Sequence, residues 1–255
     1  MGLYDFTIYS IIIRNAQLYG NDIGWIAGDE KISHGQFKET VDKLACGLVN
    51  IGLKKGDRIG VLSQNNMEFM YLYGAAAKTG CIMLPINWRL QPEEVEYDGA
   101  PKFLFAEKEF QDQTSPLRDK FDFIKKTYSM GSASGNLDAF EDLLKNDGVC
   151  PEIDVHSEDD YLIIHTAAVA GKPRGATLSH RGIIASNIQS MYIWNITKED
   201  CHLCMLPLFH IAGLGTALNV MHAGGKNVML AKFDADLALK HISETHQRRS
   251  RQHIR

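Results

Sequence analysis

One segment of the sequence combines glycines, cations and a hydroxyl, which are the groups that bind an anion. It covers residues 164–180, and its candidate ligands are Thr166, Gly171, Lys172, Arg174 and Gly175. Backbone N–H groups in a glycine-containing turn surround a phosphate well, and Lys or Arg balances its charge. The segment is not a Walker P-loop, because Pro173 stands where a Ser or Thr is required. An ordinary strand-to-helix turn accounts for the composition equally well.

A second candidate is the string L-P-L-F-H-I-A-G-L at residues 206–214, in which His210 is the one titratable side chain. Taken alone, His210 is best interpreted as a cap of the apolar helix that follows. Upstream, Cys201-His202-Leu203-Cys204 is open to a zinc or redox interpretation, with His210 and His222 nearby. A four-ligand site usually has a second C-x-x-C or a paired His, so two core cysteines are favoured and no metal site is predicted.

The elements that must position these residues follow from hydrophobic periodicity and capping patterns. Helices are predicted from Ser33 to Gly52, Glu68 to Thr79, at Pro92, Leu137 to Leu144, His180 to Trp194, Ile211 to His222 and Asp234 to Thr245. Strands are predicted at Arg58–Leu62, Cys81–Leu84, Phe103–Phe105, before Tyr128, and at Tyr161–Ile164, His202–Leu206 and Asn227–Ala231. This alternation predicts an α/β fold with parallel-rich sheets covered by helices.

A polar, proline-containing stretch from Asn146 to Asp160 is the predicted boundary between two parts. Residues 1–150 are expected to form an N-terminal α/β subdomain. Residues 151–245 are expected to form a second α/β subdomain that carries the anion-binding segment. Residues 246–255 read as a basic, disordered tail.

Bulk composition excludes several classes of protein. The 255 residues are 45% hydrophobic and 23% charged, and 27 basic against 31 acidic residues give a net charge of −4. This net charge gives no overall electrostatic attraction to nucleic acid or to an anionic membrane. No apolar run approaches the length of about 18 residues that a transmembrane helix needs. The odd number of cysteines, five, and a start unlike a signal peptide predict reduced thiols in the cytoplasm.

Together the two strings resemble motifs of the adenylate-forming (AMP-binding) superfamily, above all its fatty-acid and aryl-acid CoA ligases. The usual loop of that family is T-S-G-T-T-G-x-P-K-G, and its second motif is L-P-L-F-H-x-x-G-L. Thr166, Gly171, Pro173 and Gly175 match the loop, Arg174 replaces its Lys, and residues 167–170 replace Ser, Gly, Thr and Thr by A-A-V-A. Further landmarks occur in the family's order, namely Ala45-Cys46-Gly47-Leu48, Gly56-Asp57-Arg58-Ile59, Gln64-Asn65, and Leu84-Pro85-Ile86-Asn87 with Arg89.

The resemblance implies a fold and a reaction. The fold is the N-terminal domain of the acyl-CoA synthetase type, here truncated. The reaction activates a carboxylic acid, fatty or aryl, with ATP and Mg²⁺ to an acyl-adenylate, which then reacts with coenzyme A. Thr166, Gly171, Lys172, Arg174 and Gly175 would hold the nucleotide phosphates. His210 would be catalytic beside the carboxylate and the α-phosphate, and Phe209, Ile211 and Gly213 would line the acyl pocket.

The family's later motifs do not occur in this sequence. They are Tyr-Gly-x-Thr-Glu, a ribose-binding Asp and a C-terminal Lys. We therefore expect an N-terminal fragment whose reading frame shifts or is cut near Thr245, and which is inactive alone. Exposed apolar surface on such a fragment favours self-association. A non-catalytic remnant, or a nucleotide- or acyl-binding module, is the alternative.

Overall fold

Strands and helices alternate along the chain in the computed structural model, which describes residues 5–89, 99–114, 117, 119, 121–131, 137–165 and 175–252, without the side chains of 113 and 244–252. The strands are β1 (Ile23–Ala27), β2 (Glu30–Ser33), β3 (Arg58–Leu62), β4 (Ile82–Pro85), β5 (Phe103–Glu107), β6 (Lys126–Met130), β7 (Asp138–Ala139), β8 (Asp160–His165), β9 (Gly175–Ser179), β10 (Cys201–Cys204) and β11 (Lys226–Met229). The helices are α1 (Ile8–Tyr19), α2 (His34–Asn50), α3 (Met67–Thr79), α4 (His180–Trp194), α5 (Ile211–Ala223) and α6 (Ala235–Gln252). Two 3₁₀ turns cover Lys108–Gln113 and Phe140–Leu144.

Side-chain caps fix where the helices begin, as the sequence predicted for α2. The Ser33 hydroxyl accepts from the Gln36 N–H at 3.2 Å, and the Gln36 side chain accepts from the Ser33 N–H at 2.8 Å. Asn66 caps α3 with a single bond, accepting from the Phe69 N–H at 2.9 Å, and Gly80 ends that helix in the left-handed conformation with a φ of 68°. Such side-chain bonds satisfy donors that the first helical turn leaves unpaired.

Two sheets form the framework. The larger has the strand order β7-β6-β5-β3-β4-β8-β9, and the smaller has the order β10-β11-β1-β2. Pairing is parallel except for β1 with β2 and β8 with β9. The prediction of parallel-rich sheets covered by helices is therefore confirmed.

The boundary predicted after residue 150 does not separate the two sheets. In the larger sheet β8 pairs with β4, and in the smaller sheet β11 pairs with β1. Each sheet thus combines strands from before and after the boundary. A polar segment with a proline marks a surface connection, but strand pairing is non-local and does not follow from it.

Several local predictions also need correction. Residues 137–144 form β7 and a 3₁₀ turn rather than a helix, and β10 ends at Cys204 rather than Leu206. The sequence did not predict α1, β1, β2 or β9. Helix α6 continues to Gln252 because no glycine or proline interrupts it, so residues 246–252 of the expected disordered tail are helical. The helix expected at Pro92 lies outside the described residues.

The main core is built from the helices α1, α2, α3 and α5 and from strands of both sheets. Its largest enclosed side chains include Trp25, Phe69, Tyr73, Phe105 and Tyr161. The rings of Tyr73 and Tyr161 meet edge to face at 4.7 Å, and the Tyr161 hydroxyl donates to the Tyr73 carbonyl at 2.6 Å. Within the described residues, no helix is both long and apolar enough to cross a membrane.

Candidate functional site

The carboxyl ends of parallel strands from both sheets come together in one region, called here the crevice. From the larger sheet come Asn65, after β3, and Trp88, after β4. From the smaller sheet come the loop 205–210, after β10, and Ala231, after β11. The Asn65 N–H donates to the Ala231 carbonyl at 3.2 Å, and the Trp88 and Phe209 rings lie 6.1 Å apart. In open α/β sheets, ligands bind at this end of the strands.

Asn65 holds the loop 205–210 in place. Its side-chain oxygen accepts from the Leu208 N–H at 2.8 Å, and its amide donates to the carbonyls of Leu206 at 2.9 Å and Leu230 at 3.1 Å. Only 4% of Asn65 is exposed. The Leu206 carbonyl accepts a hydrogen bond from Asn65 and not from a neighbouring strand. This explains why β10 stops at Cys204.

His210 is the N-cap of α5. Its Nδ1 accepts from the Ala212 N–H at 3.1 Å, so the proton of the neutral ring lies on Nε2. The side chain is exposed. Both sequence interpretations of His210 are therefore compatible, because a ring that caps a helix through Nδ1 still presents an Nε2–H donor.

Gly213 allows α5 to lie directly on the loop. A Cβ at this position would come within 2.3 Å of the Pro207 carbonyl oxygen and 2.7 Å of the Leu206 carbonyl oxygen. The residue is buried, so its visible role is backbone packing, whereas its neighbour Ile211 is 40% exposed. Of these two residues that were predicted to line the acyl pocket, Ile211 has the surface to do so.

An aromatic wall with one cation stands beside His210. Trp88 stacks on Phe110 at 5.8 Å and meets Phe209 edge to face. The Arg89 guanidinium lies 4.8 Å from the Trp88 ring centroid and 5.6 Å from that of Phe209. Arg89 is exposed, so these rings orient a charge that remains available to a ligand.

The candidate anion-binding loop connects two antiparallel strands rather than a strand and a helix. β8 pairs with β9 in the register His165 to Gly175, and α4 begins only at His180. Thr166, Gly171, Lys172 and Arg174 lie outside the described residues. Gly175 is described, and a Cβ there would come within 2.7 Å of Ile163 Cγ2. The extended segment 175–179 was missed because its residues are exposed or half-buried and form no apolar run.

A family model described as AMP-binding enzyme matches residues 13–250. The chain belongs to this family. Among curated relatives, the 2-succinylbenzoate–CoA ligase of Arabidopsis thaliana is 26% identical over 94% of this chain and 45% of its own length. The indoleacetate–CoA ligase of Aromatoleum aromaticum is 29% identical over 85% of this chain and 43% of its own length. The chain thus spans about half the length of these relatives.

Solved structures give the same result for the fold. A structure from Rhodopseudomonas palustris, described as that of a long-chain-fatty-acid CoA ligase, has a TM-score of 0.89 at 36% identity. The match covers 94% of this chain and 61% of that one. The architecture is the N-terminal domain of the adenylate-forming acyl-CoA ligases, as the motifs implied.

The Ser179-His180 pair of this AMP-binding chain has a structural role. Ser179 caps α4 by accepting from the Gly182 N–H at 3.2 Å. His180 is fully buried, stacks on Tyr161 at 4.2 Å, and accepts at Nδ1 from the Ile8 N–H at 3.2 Å. Burial lowers the pKa of His180 to about 4, which keeps the ring neutral in the core.

The described carboxylates and cysteines of this AMP-binding chain do not form a metal centre. Within the described ranges, no three His, Cys, Asp or Glu side chains converge closely enough to hold an ion. Glu107, which ends β5, accepts from the Gln64 N–H at 2.8 Å and the Ser63 hydroxyl at 3.1 Å. Cys204 is buried as predicted but Cys201 is exposed, so only one of the two is a core cysteine.

Two side chains of the crevice had no role assigned to them from the sequence. Asn65 and Arg89 were noticed as landmarks of the family but received no role. The signal for Asn65 was an amide directly after a buried strand and before a helix cap. The signal for Arg89 was a cation next to Trp88, which is a common stacking arrangement.

Proposed function

We propose that this chain is the acid- and nucleotide-binding part of an acid–CoA ligase. The reaction joins a carboxylic acid, fatty or aryl, to the α-phosphate of ATP, releases pyrophosphate, and passes the acyl group to coenzyme A. The observation that carries the proposal is the exposed Nε2–H of His210 beside the aromatic wall, at the carboxyl ends of both sheets.

His210 acts as a hydrogen-bond donor in this proposal. A carboxylate that attacks the α-phosphorus brings negative charges together, and a fixed donor stabilises the oxygen on which charge accumulates. The Ala212 N–H fixes the tautomer and the orientation of the ring, so the donor is in place before a ligand arrives.

The phosphates are assigned to the loop that closes the β8–β9 hairpin. Thr166, Gly171 and Gly175 would contribute a hydroxyl and close backbone approach, and Lys172 and Arg174 would contribute charge. Arg174, in place of the family's Lys, adds a guanidinium group that can hold two phosphate oxygens at once. This would offset the hydroxyl groups that are lost at residues 167–170.

The acid would lie along the apolar side of the crevice. Phe209 is half-buried against Trp88, and the exposed Ile211 continues the apolar surface past His210. Gly213 serves this pocket by letting α5 approach the loop. Flat aromatic acids and alkyl chains both suit such a surface, so the proposal is limited to these two classes of acid.

The described carboxylates form no preformed magnesium site, and Mg²⁺ would be held mainly through the phosphates of ATP. Glu107 already accepts two hydrogen bonds, and the described residues offer no other cluster of ligands for an ion. No step of the proposed reaction is therefore assigned to a metal held by these residues.

A non-reactive acyl-adenylate analogue, an adenosine 5′-O-acylsulfamate, tests the site by calorimetry. His210→Ala removes both the cap and the donor, so it lowers stability by about 1 kcal/mol and weakens binding. His210→Asn retains a capping oxygen, so stability returns while affinity stays about tenfold reduced, equivalent to about 1.4 kcal/mol. Wild-type affinity in His210→Asn would show that His210 serves only as a cap.

ATP–pyrophosphate exchange with fatty and aryl acids separates binding from turnover. We expect the 255-residue chain to bind the analogue without catalysing exchange, because the family's later motifs do not occur in it. Exchange by the purified chain would contradict the fragment interpretation. Absence of both binding and exchange would favour the non-catalytic remnant.

Self-association and a cytoplasmic location remain predictions. At the end of α4, Tyr192, Ile193 and Trp194 are 89%, 71% and 75% exposed, and β9 is an edge strand of the larger sheet. An exposed apolar helix end favours association of two copies, and so does a strand that is at the edge of the sheet among the described strands.

A further inference from the structure

Two thiols that are distant in sequence meet beside α2. Cys46 lies in the helix and Cys150 lies beyond the 3₁₀ turn Phe140–Leu144, and the two thiols are close enough for Cys150 to raise the pKa of Cys46. The crevice of the proposed function does not involve either residue.

The backbone around both thiols is held in place by independent contacts. A Cβ at Gly47, next to Cys46, would come within 2.1 Å of the Leu143 carbonyl oxygen, so the helix and the turn are in direct backbone contact. Three residues further along, the Asn146 amide donates to the Lys43 carbonyl at 3.0 Å and to the Leu143 carbonyl at 2.8 Å. A Cβ at Gly148 would come within 3.5 Å of the Lys43 backbone nitrogen, so the segment 143–148 lies along α2 and Cys150 follows two residues later beside the same helix.

The two thiols differ in access to solvent. Cys46 is 1% exposed, whereas Cys150 is half-buried and lines a cavity of about 450 Å³ together with Tyr9, Lys78 and Thr79. Burial, with Cys150 as a neighbour, raises the pKa of the Cys46 thiol to about 12. A small reagent that enters the cavity therefore meets Cys150 first.

The other cysteines are less suited to pairing. Cys201 and Cys204 form the C-x-x-C pattern that a search for redox motifs would select. They stand three residues apart on β10, where side chains at odd separations point to opposite faces. Cys81 is buried, and its thiol donates to the Lys54 carbonyl at 3.5 Å.

We propose that Cys46 and Cys150 are a dithiol that forms a reversible intramolecular disulfide when a low-molecular-weight disulfide such as oxidised glutathione is present. The Cys150 sulfur attacks one sulfur of the oxidant, which gives a mixed disulfide and releases one reduced thiol that takes the Cys150 proton. The Cys46 sulfur then attacks the Cys150 sulfur, and the second reduced thiol leaves with the Cys46 proton. Two protein thiols are oxidised, and one small disulfide is reduced to two thiols.

The disulfide would link the segment that contains Cys150 covalently to helix α2. It closes a loop from residue 46 to residue 150, and cross-links that close long loops restrict the unfolded chain strongly. We expect the oxidised chain to unfold at a higher temperature than the reduced chain, and reduction to reverse the shift.

The test treats the folded chain with oxidised glutathione in a Cys201→Ser background, which removes the exposed thiol. Peptide mapping without reductant should find a Cys46–Cys150 cross-linked peptide, together with the loss of two titratable thiols. In Cys46→Ser no second protein thiol can attack the mixed disulfide on Cys150, so a stable glutathione adduct should accumulate on Cys150. Cys81→Ser, the matched buried control, should cross-link like the parent.

The result that would overturn the proposal is a stable glutathione adduct on Cys150 with Cys46 present, without the cross-linked peptide. A disulfide between two chains through Cys150 would overturn it as well. Both readouts come from the Cys201→Ser parent, so a Cys46 variant that fails to fold does not affect the decision. Neither readout depends on ligand binding or turnover.

Discussion

His210 shows how one side chain meets a structural and a chemical demand. The cap uses Nδ1 and the proposed donor uses Nε2, so the two roles do not compete. The sequence predicted both roles, because the string around His210 begins an apolar helix and also matches a family motif. It did not predict that the first role fixes the tautomer for the second.

Asn65 is the residue on which the position of the loop 205–210 depends. Asn65→Ala removes four side-chain hydrogen bonds, one from the Leu208 N–H and three to the carbonyls of Cys204, Leu206 and Leu230. We expect the free energy of unfolding, measured with urea, to fall by about 3 kcal/mol. Analogue affinity should fall too, since the loop carries His210.

Gln64→Ala is the matched control for Asn65. The Gln64 side chain bonds to Glu109 on the exposed surface, so its removal should change stability by less than about 0.5 kcal/mol. Equal effects of the two variants would contradict the view that Asn65 is the anchor of the loop.

At the scale of secondary structure, helix α5 packs directly on the loop 205–210. Gly213→Ala places a methyl group against the Leu206 and Pro207 carbonyls, which are backbone atoms that cannot rotate away. We expect a loss of about 2 kcal/mol or more in a urea titration, and weaker binding of the analogue because His210 is displaced.

Gly215→Ala is the control on the same helix. A Cβ at Gly215 meets no atom within 4 Å, so the better helix propensity of alanine should raise stability by up to about 1 kcal/mol. If both alanine variants stabilised the chain, close packing at Gly213 would be refuted.

The elements that were predicted correctly are those whose signals are local. α2, α3, α4 and α5 follow from caps and 3.6-residue periodicity, and the buried strands β3, β4 and β5 from short apolar runs. β1, β2 and β9 are short and partly exposed, so no buried apolar run marks them. β1 also depends on the distant strand β11, whereas β2 and β9 pair with the strands that precede them. The run Ile8–Ile13 was examined only as a membrane candidate, which is why α1 was missed.

At the scale of the molecule, each of the two sheets contains strands from before and after the predicted boundary at residue 150. The sequence predicted the sheet type and the family, but a linear boundary could not reveal that β1 joins β11 or that β8 joins β4. The crevice depends on this exchange, because it brings Asn65 to Ala231 and Trp88 to Phe209.

Buried histidines make the stability of the whole chain depend on pH. Burial lowers the pKa values of His180 and His222 to about 4, and shifts those of His34 and His202 downward as well. Below the unfolded value of about 6.5, the unfolded chain binds protons that the folded chain does not. The histidine contribution is therefore complete above about pH 6.5 and is lost as the pH falls toward about 4.

Urea titrations at pH 7.5 and pH 5 measure this dependence. At pH 5, His180 and His222 should each lower the free energy of unfolding by about 2 kcal/mol. His222→Leu should reduce the difference between the two pH values by its own share. Equal stability of the wild-type chain at both values would refute neutral, buried histidines.

The central claim is that His210 caps α5 through Nδ1 and offers its Nε2–H to a ligand oxygen. A two-bond ¹H–¹⁵N spectrum of the histidine rings, recorded before and after addition of the acylsulfamate analogue, tests it most directly, with His210→Asn supplying the assignment. We predict the Nε2–H tautomer in the free chain and a shift of the His210 Nε2 resonance on binding. An Nδ1–H tautomer, or binding that leaves the His210 signals unchanged, would contradict the account.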